Sequence, residues 1–497
     1  MTSSNGSGTL ASSSSASASS SEQPLACVIL AAGKGTRMKS DLPKVLHPVL
    51  GRPLGHWPVL TALELQAEKT VVVVGHGAED VEKSLKEAFG DDVKTALQAE
   101  QKGTGHAVMC ALPALEDFEG SVLILYGDTP LLKAADLADL VCAQRESGAP
   151  LALLTAFVDD PTGYGRILRD YDENVCGIVE HKDANVDQLQ IDEMNPGIYV
   201  VDASWMRANL DKLKADNSQG EYYLTDLVAL AAQEGAPLES IEVYHEDILG
   251  VNDRAQLQEA AAILQERLVH GWMQVGVTLD KPDSVHIEAT VHLDENVRLG
   301  PNVVLRGDTR IASGVHIDVG CVLDDTDVSP GAKLLPYTVC ESAVIGENAT
   351  VGPFARLRPE TVLEKGSKVG NFVEMKKSTL GEGAKANHLA YIGDATVGKG
   401  ANIGAGTITC NYDGHAKHQT ILGDGAFIGS NSTLVAPVTI EDGAYVAAGS
   451  VVSKNVPENA LAITRAKQEN KEGSAERIRR RNAQKKKRQL EEQAKNS

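Results

Sequence analysis

From residue 25 to about residue 250, short apolar runs alternate with amphipathic ones. ACVILAA, TVVVVG, SVLILYGD and PLALLTAF have the length and β-branching of buried strands, whereas EDVEKSLKEAF and AADLADLVCAQ place their apolar residues on one side of a helix. That alternation predicts βαβ units, a mostly parallel sheet and helices on both of its faces. Ligands of such sheets collect beyond the carboxyl ends of the strands. The stretch DRAQLQEAAAILQERLVHG then predicts a linker helix over 253–271, capped by Asp253, with Leu257, Ala261, Leu264 and Leu268 on one stripe and Gly271 ending it.

Past residue 280 the period is neither two nor 3.6. Ile287, Leu293, Leu299, Leu305, Ile311, Ile317 and Leu323 fall at every sixth position. The register returns at Ile345, Val351, Leu357, Leu363, Val369 and Met375, again at Leu380, Ala386 and Ile392, and finally from Leu422 through Ile428, Leu434, Ile440 and Val446 to Val452. Six-residue periodicity predicts a hexapeptide parallel β-helix, in which each repeat is one short strand and a turn and three repeats make a triangular coil. Glycines just after the aliphatics, such as Gly346, Gly370, Gly404 and Gly429, suit corners where a side chain would crowd the turn. The segment CNYDGHAKHQT, 410–420, breaks the register and predicts a protruding loop.

Composition narrows the picture. With 497 residues, the chain exceeds one ordinary core, and 42% apolar content can fill two or three. A formal charge of −21 argues against nucleic acid as a partner. Any anionic ligand must be held locally. Seven scattered cysteines without a Cys-x-x-Cys pair fit reduced thiols in a cytoplasm, and no run approaches a membrane span. The expected organisation is a disordered Ser-rich tail over 1–24, an α/β domain over 25–252, the linker helix, a β-helix over 272–466 and a disordered tail over 467–497. Residues 477–488 of that tail hold eight Lys/Arg and no acid.

The candidate chemistry begins where the first strand ends. Gly33 and Gly35 flank Lys34, with Arg37, Lys39 and Lys44 following. A Walker loop fails here because Val28 stands where its first glycine belongs and Thr36 follows Gly35, and the dinucleotide fingerprint fails at Met38. Glycines nevertheless let backbone N–H groups close on phosphate oxygens, and nearby cations stabilise negative charge. Leu30-x-x-Gly33-x-Gly35-Thr36-Arg37-Met38 with Pro43-Lys44 resembles the signature of sugar-1-phosphate nucleotidyltransferases. By that resemblance Arg37 faces a triphosphate and Lys44 the sugar phosphate.

LQAEQKGTGHA resembles the nucleobase-reading segment of the same enzymes, with Gln98, Gly103 and Thr104. SVLILYGDTP places Asp128 just past a strand, where its task would be to hold a divalent cation that bridges phosphates. The resemblance adds Asn252 as a second metal ligand, with Mg2+ expected, and implies Leu30, Ala31, Ala32 and Tyr126 around the nucleotide. Gly165, Glu180 and Asn195 complete the sugar pocket by the same carry-over. Pro196 departs from the pattern, because a residue with an N–H is expected beside Asn195.

GPFARLRP, VGNFVEMKKS, HLAYIGDA and NIGAGTITCNYDG lie on the periodic half. With them the chain resembles the bifunctional UDP-N-acetylglucosamine pyrophosphorylases and glucosamine-1-phosphate N-acetyltransferases from about residue 25 to 466. The resemblance implies a Rossmann-like nucleotidyltransferase domain, a left-handed β-helix, a homotrimer and two activities that make a cell-wall precursor. Acetyl transfer to a sugar ammonium needs a base titrating near neutrality, and His388 matches that role. Arg358, Lys376, Tyr391 and Asn402 would grip glucosamine 1-phosphate, while Ala405, Asn411, Tyr412, Ser430, Ala448 and Arg465 would line an acetyl-CoA groove between neighbouring β-helices. Arg358 and Lys376 are eighteen residues apart, one full coil, so they can stack on one face. Two alternatives stay open: a single-activity sugar nucleotidyltransferase whose β-helix only assembles or regulates, and a non-enzymatic scaffold.

Overall fold

The computed structural model describes residues 23–495, so the Ser-rich start up to residue 22 lies outside the described residues. The chain forms two compact units, one over Met1–Gln274 with His286–Val291 and the other over Val275–Val285 with His292–Ser497.

In the first unit, the strand Leu25–Leu30 lies between Lys69–Val74 and Ser121–Tyr126, and Val93–Leu97 extends the row, all four parallel. Alternate residues of the first strand feed two cores. Ala26, Val28 and Leu30 pack on one side, and Leu25, Cys27 and Ile29 on the other. Both faces of such strands are covered, which is why they read as unbroken apolar runs. The helices Ala78–Phe89 and Ala134–Ser147 fall where the amphipathic stretches predict them.

The expectation of a mostly parallel sheet needs correction. Beyond Ser121–Tyr126 the sheet turns antiparallel through Tyr199–Asp202, Leu151–Phe157, Glu193–Asn195, Gly165–Arg169 and Val175–Val179, with only Leu238–Glu242 again parallel to a neighbour. The strand order reverses beside Leu25–Leu30. Its loop and that after Ser121–Tyr126 therefore leave the sheet at a topological switch point, the place where open α/β sheets bind ligands. Gly127 N–H donates to Leu30 O at 2.9 Å and ties the two exits together.

The helix expected over 253–271 spans Arg254–Gln274. Asp253 accepts from the N–H groups of Ala255 and Gln256 at 2.9 and 3.0 Å. Gly271 lies inside the helix and does not end it, since one interior glycine costs only about 1 kcal/mol. Gly276, at φ 97°, comes after the last turn instead.

The second unit is a solenoid of three parallel sheets of very short strands, the arrangement of a left-handed β-helix. The first face runs from Thr278–Leu279 to Leu461–Ala462, the second from Val304–Arg306 to Val451–Val452, and the third from His292–Leu293 to Val438–Ile440. Leu305, Leu323, Cys340, Leu357, Met375 and Ile392 stack inward along the second face, all buried.

The structure also explains why the six-residue register keeps breaking. Steps from the second to the third face shorten to five residues at Leu323–Val328, Cys340–Ile345, Met375–Leu380 and Ile392–Val397. At those corners Asp325, Ser342, Lys377 and Asp394 adopt left-handed φ values of 44–47°. Each corner residue donates its N–H to the coil below, as Asp394 does to Lys376 O, which offsets part of the strain. Gly370 serves close approach rather than φ: a Cβ there would stand 1.9 Å from Asn387 O on the next coil.

Within the tail expected to be disordered over 467–497, Ser474–Lys495 is helical. Its Ala, Glu, Gln, Lys and Arg are strong helix formers, and Glu476 pairs with Arg480 at 2.7 Å one turn on.

Candidate functional site

Two adjoining hollows open at the switch point of the first unit. One, of about 270 Å³, is lined by Leu30, Ala31, Ala32 and Gly33 from the first exit, by Gln98 and Gly103 from the segment before the helix Thr104–Ala111, and by Thr104 at its start. The other, of about 260 Å³, is lined by Gly165, Glu180, Asn195 and Asn252. Tyr126, Asp128, Thr104 and Glu221 border both. A Cβ added at Gly33 would meet nothing within 4 Å, so this glycine leaves its backbone open toward the first hollow.

Gln98 is buried, and its Nε2 donates to Gly103 O at 3.1 Å and to His106 Nδ1 at 3.0 Å. Both amide hydrogens are spent. Only Oε1 is left for a nucleobase, and it accepts but cannot donate.

In the second hollow, Asn195 resolves the question raised by Pro196. Its Oδ1 accepts from Gly197 N–H at 3.0 Å, skipping the proline, and its Nδ2 donates to Tyr199 Oη at 2.7 Å. Gly197 has φ 83°, and a Cβ there would strike the Tyr126 ring at 2.4 Å. Glu180 accepts from Thr225 Oγ1 at 3.3 Å. Burial first, and then the neighbouring Asp183, Asp226 and Glu221, push its carboxyl above the ordinary range. Arg166 carried no sequence signal of its own. It is almost wholly buried and donates to Pro161 O and Tyr164 O at 2.8 and 2.5 Å, pinning the turn that carries Gly163 and Tyr164 along the rim.

Four residues converge between the hollows. Lys44 Nζ pairs with Asp128 and lies 3.3 Å from Asn252 Oδ1, and Arg37 donates to the same Asn252 oxygen at 2.7 Å. Asp128 and Asn252 thus both direct an oxygen at the Lys44 ammonium, and carboxylate and amide oxygens are donors of the hard type that a divalent cation such as Mg2+ takes. Among the described residues no cluster of three His, Cys, Asp or Glu could hold a metal by itself. Two protein oxygens fit an ion that takes its other ligands from phosphates and water.

In the solenoid, Arg358 and Lys376 stand on adjacent coils at the end of the second face, where Arg358 N–H donates to Met375 O at 2.9 Å. Glu374 pairs with Arg358 at 2.9 Å. Tyr391 lies along its strand, so that a Cβ at Gly393 would sit 2.6 Å from the Tyr391 hydroxyl. The loop after Cys410 adds Lys417, which sequence reasoning missed because the loop has no register. Lys417, and then Arg358, hold the Lys376 ammonium below the ordinary lysine range. Asp413 anchors that loop by accepting from Ala416 and His415 N–H groups and from His418, which keeps its carboxyl well below the usual range.

His388 falls at the corner between the first and second faces, with Nδ1 2.8 Å from Asn371 Oδ1. Ala405, Ser430 and Ala448 follow at the same corner on successive coils: Asn431 N–H donates to Ala405 O at 2.7 Å and Gly449 N–H to Ser430 O at 2.8 Å. Arg465 donates to Ala448 O. Asn411 lies elsewhere, at the far end of the second face, buried and donating to Asp394, with Tyr412 exposed beside it. Asn402 stands on the first face opposite Lys385. The expected acetyl-CoA residues therefore divide between two corners of one chain.

Comparison with known proteins places both halves. Residues 27–219 match a family profile described as a MobA-like NTP transferase domain, and residues 419–454 match the bacterial transferase hexapeptide profile of six repeats. "Bifunctional protein GlmU" of Sorangium cellulosum (strain So ce56) is 51% identical over 459 residues, 92% of this chain and 97% of the relative. The protein of that name from Pelobacter propionicus is 47% identical over 450 residues, 90% of this chain and 97% of its own, and that from Anaeromyxobacter sp. (strain Fw109-5) is 49% identical over 454, 91% and 93%.

Proposed function

The chain belongs to the bifunctional GlmU family, and on that premise we propose how its residues divide UDP-N-acetylglucosamine synthesis between an acetyl transfer and a uridyl transfer. The enzyme is both a uridylyltransferase and an acetyltransferase. Glucosamine 1-phosphate is acetylated first from acetyl-CoA, and its product is then joined to the uridyl group of UTP.

The observation that carries the uridyl reading is the pair of hollows meeting at Asp128 and Tyr126. UTP occupies the first, where the Gln98 Oε1 accepts the N3–H of uracil and Arg37 lies toward the triphosphate. N-Acetylglucosamine 1-phosphate occupies the second, with Glu180 and Asn195 toward its hydroxyls and Gly165 close to the ring. A sugar-phosphate oxygen forms its bond to the α-phosphorus as the bond to the bridging oxygen breaks, and pyrophosphate leaves in line. Lys44 and Arg37 stabilise the charge that collects on the departing group. Mg2+, held by Asp128 and Asn252, would supply charge neutralisation between the two reactants' phosphates.

For acetyl transfer, Nε2 of His388 takes a proton from the sugar ammonium, and the freed amine attacks the thioester carbonyl, expelling the thiol of CoA. Arg358, Lys376 and Tyr391 hold the sugar phosphate. The separation of Ala405, Ser430, Ala448 and Arg465 from Asn411 and Tyr412, with Asn402 on another face, supports a site completed between copies of a homotrimer.

CoA release from glucosamine 1-phosphate with acetyl-CoA, and pyrophosphate release from separately supplied N-acetylglucosamine 1-phosphate with UTP, test the whole reading. His388→Ala loses only the first product and Asp128→Ala only the second. A folded single variant that loses both products contradicts two independent sites, and absence of acetyl-CoA-dependent thiol release in the wild type restores the single-activity alternative.

A further inference from the structure

We propose that Lys44 is the internal counter-cation of the uridyl site: in the substrate-free protein its ammonium fills the cation position between Asp128 and Asn252, so that the chain rejects divalent metal until nucleotide brings it. The inference rests on the assignment of Asp128 and Asn252 as metal ligands.

Both of those oxygen ligands are already engaged by cations. Asp128 is paired with Lys44, and the Asn252 oxygen is shared between Lys44 at 3.3 Å and Arg37 at 2.7 Å. The Lys44 and Asp128 side chains are only 13% and 19% exposed, so solvent screens their attraction poorly. The pairing is also built into the backbone. Gly35, at φ 58°, passes so close to Lys44 that a Cβ there would stand 2.6 Å from Lys44 Cβ, which fixes where the lysine stem begins.

The free site thus holds two cationic groups against one carboxylate. A divalent ion entering alone would meet repulsion from both, would find just two protein oxygens, and would have to displace the Lys44 ammonium from Asp128 and the Arg37 guanidinium from Asn252. A triphosphate changes that balance. Its negative charge gives Lys44 and Arg37 new partners, releases Asp128 and Asn252, and supplies the oxygens the protein lacks. The same two cations therefore guard the metal position when the site is empty and turn to the phosphates when it fills. Premature metal loading is disfavoured, and metal and nucleotide bind with positive coupling.

The test is binding of Mn2+ to the metal-free full chain, read by water-proton relaxation, which responds to ion held on protein, without sugar phosphate so that nothing turns over. The expected result is weak binding by the wild type alone, at least ~10-fold tighter binding by Lys44→Met, loss of that gain in Lys44→Met/Asp128→Asn, and strong protein-bound signal in the wild type once UTP is added. Lys44→Gln, which keeps a polar head on a similar stem, repeats the measurement should the methionine variant not fold. Unchanged Mn2+ affinity in a folded Lys44 variant, or tight wild-type binding without UTP, overturns the proposal. If Asp128→Asn leaves the UTP-dependent signal intact, the ligand assignment itself fails, a result distinct from an unresponsive Lys44.

Discussion

His388 and Asn371 occupy the same corner of the solenoid on adjacent coils, with the imidazole Nδ1 2.8 Å from the Asn371 amide oxygen. An amide oxygen only accepts, so the hydrogen bond places the proton on Nδ1 and leaves the lone pair of Nε2 free to accept. Asn371→Ala should lower kcat/KM for acetyl transfer about ten-fold by freeing the wrong tautomer, with uridyl transfer unchanged. Asn371→Asp adds a carboxylate that favours imidazolium, so the acid limb of the acetyl-transfer pH profile should move up by about one unit. An unmoved limb in the aspartate variant would mean that the contact does not reach the reacting nitrogen.

Lys417, and then Arg358, crowd the Lys376 ammonium, a gathering of like charge that an anion would relieve. Lys417→Ala should raise KM for glucosamine 1-phosphate roughly ten-fold, with kcat less affected, because charge-assisted bonds to phosphate act mainly in binding. Thermal unfolding should be no lower in the variant, since like-charge repulsion is removed. Steady-state kinetics and a melting curve on the same preparation check both halves.

Glu180 carries a pH signature. Its folded pKa is raised, chiefly by burial, so its contribution to stability is fully present below the ordinary glutamate value of 4.5 and is lost as pH rises through the raised value. Glu180→Gln should therefore raise Tm at neutral pH, by roughly 2–4 °C, and the gain should vanish below that ordinary range. The same substitution should weaken binding of N-acetylglucosamine 1-phosphate, as a carboxylate acceptor for its hydroxyls is lost. Melting curves taken as a series over pH separate the two effects.

Gly370 tests the stacking of coils next to His388. A methyl placed 1.9 Å from the Asn387 carbonyl oxygen must push two coils apart. Gly370→Ala should cost about 3 kcal/mol in urea unfolding and abolish CoA release while pyrophosphate release persists. Wild-type stability in that variant would show that the corner relaxes at little cost.

The inward aliphatics from Leu293 to Val452 and the unbroken apolar strand Leu25–Leu30 were determined by sequence alone, because each is a local pattern: a residue's burial follows from its place in a repeat or between two faces. The same is true of the glycine-flanked exit with Arg37 and Lys44, which residue types at short spacing pick out. Tertiary structure decided what depends on partners remote in the chain. The antiparallel half of the first sheet is one such case, since Tyr199–Asp202 takes its direction from Ser121–Tyr126 and Leu151–Phe157 and not from its own four residues. The five-residue corners are another: Asp394 and Ser342 can turn left-handed only because the coil below accepts their N–H groups. Lys44 reaches Asp128 across 84 residues and Asn252 across 208, and no periodicity encodes that meeting. It is set by which loops leave the sheet at the point where strand order reverses, a property of the assembled sheet that no single segment possesses.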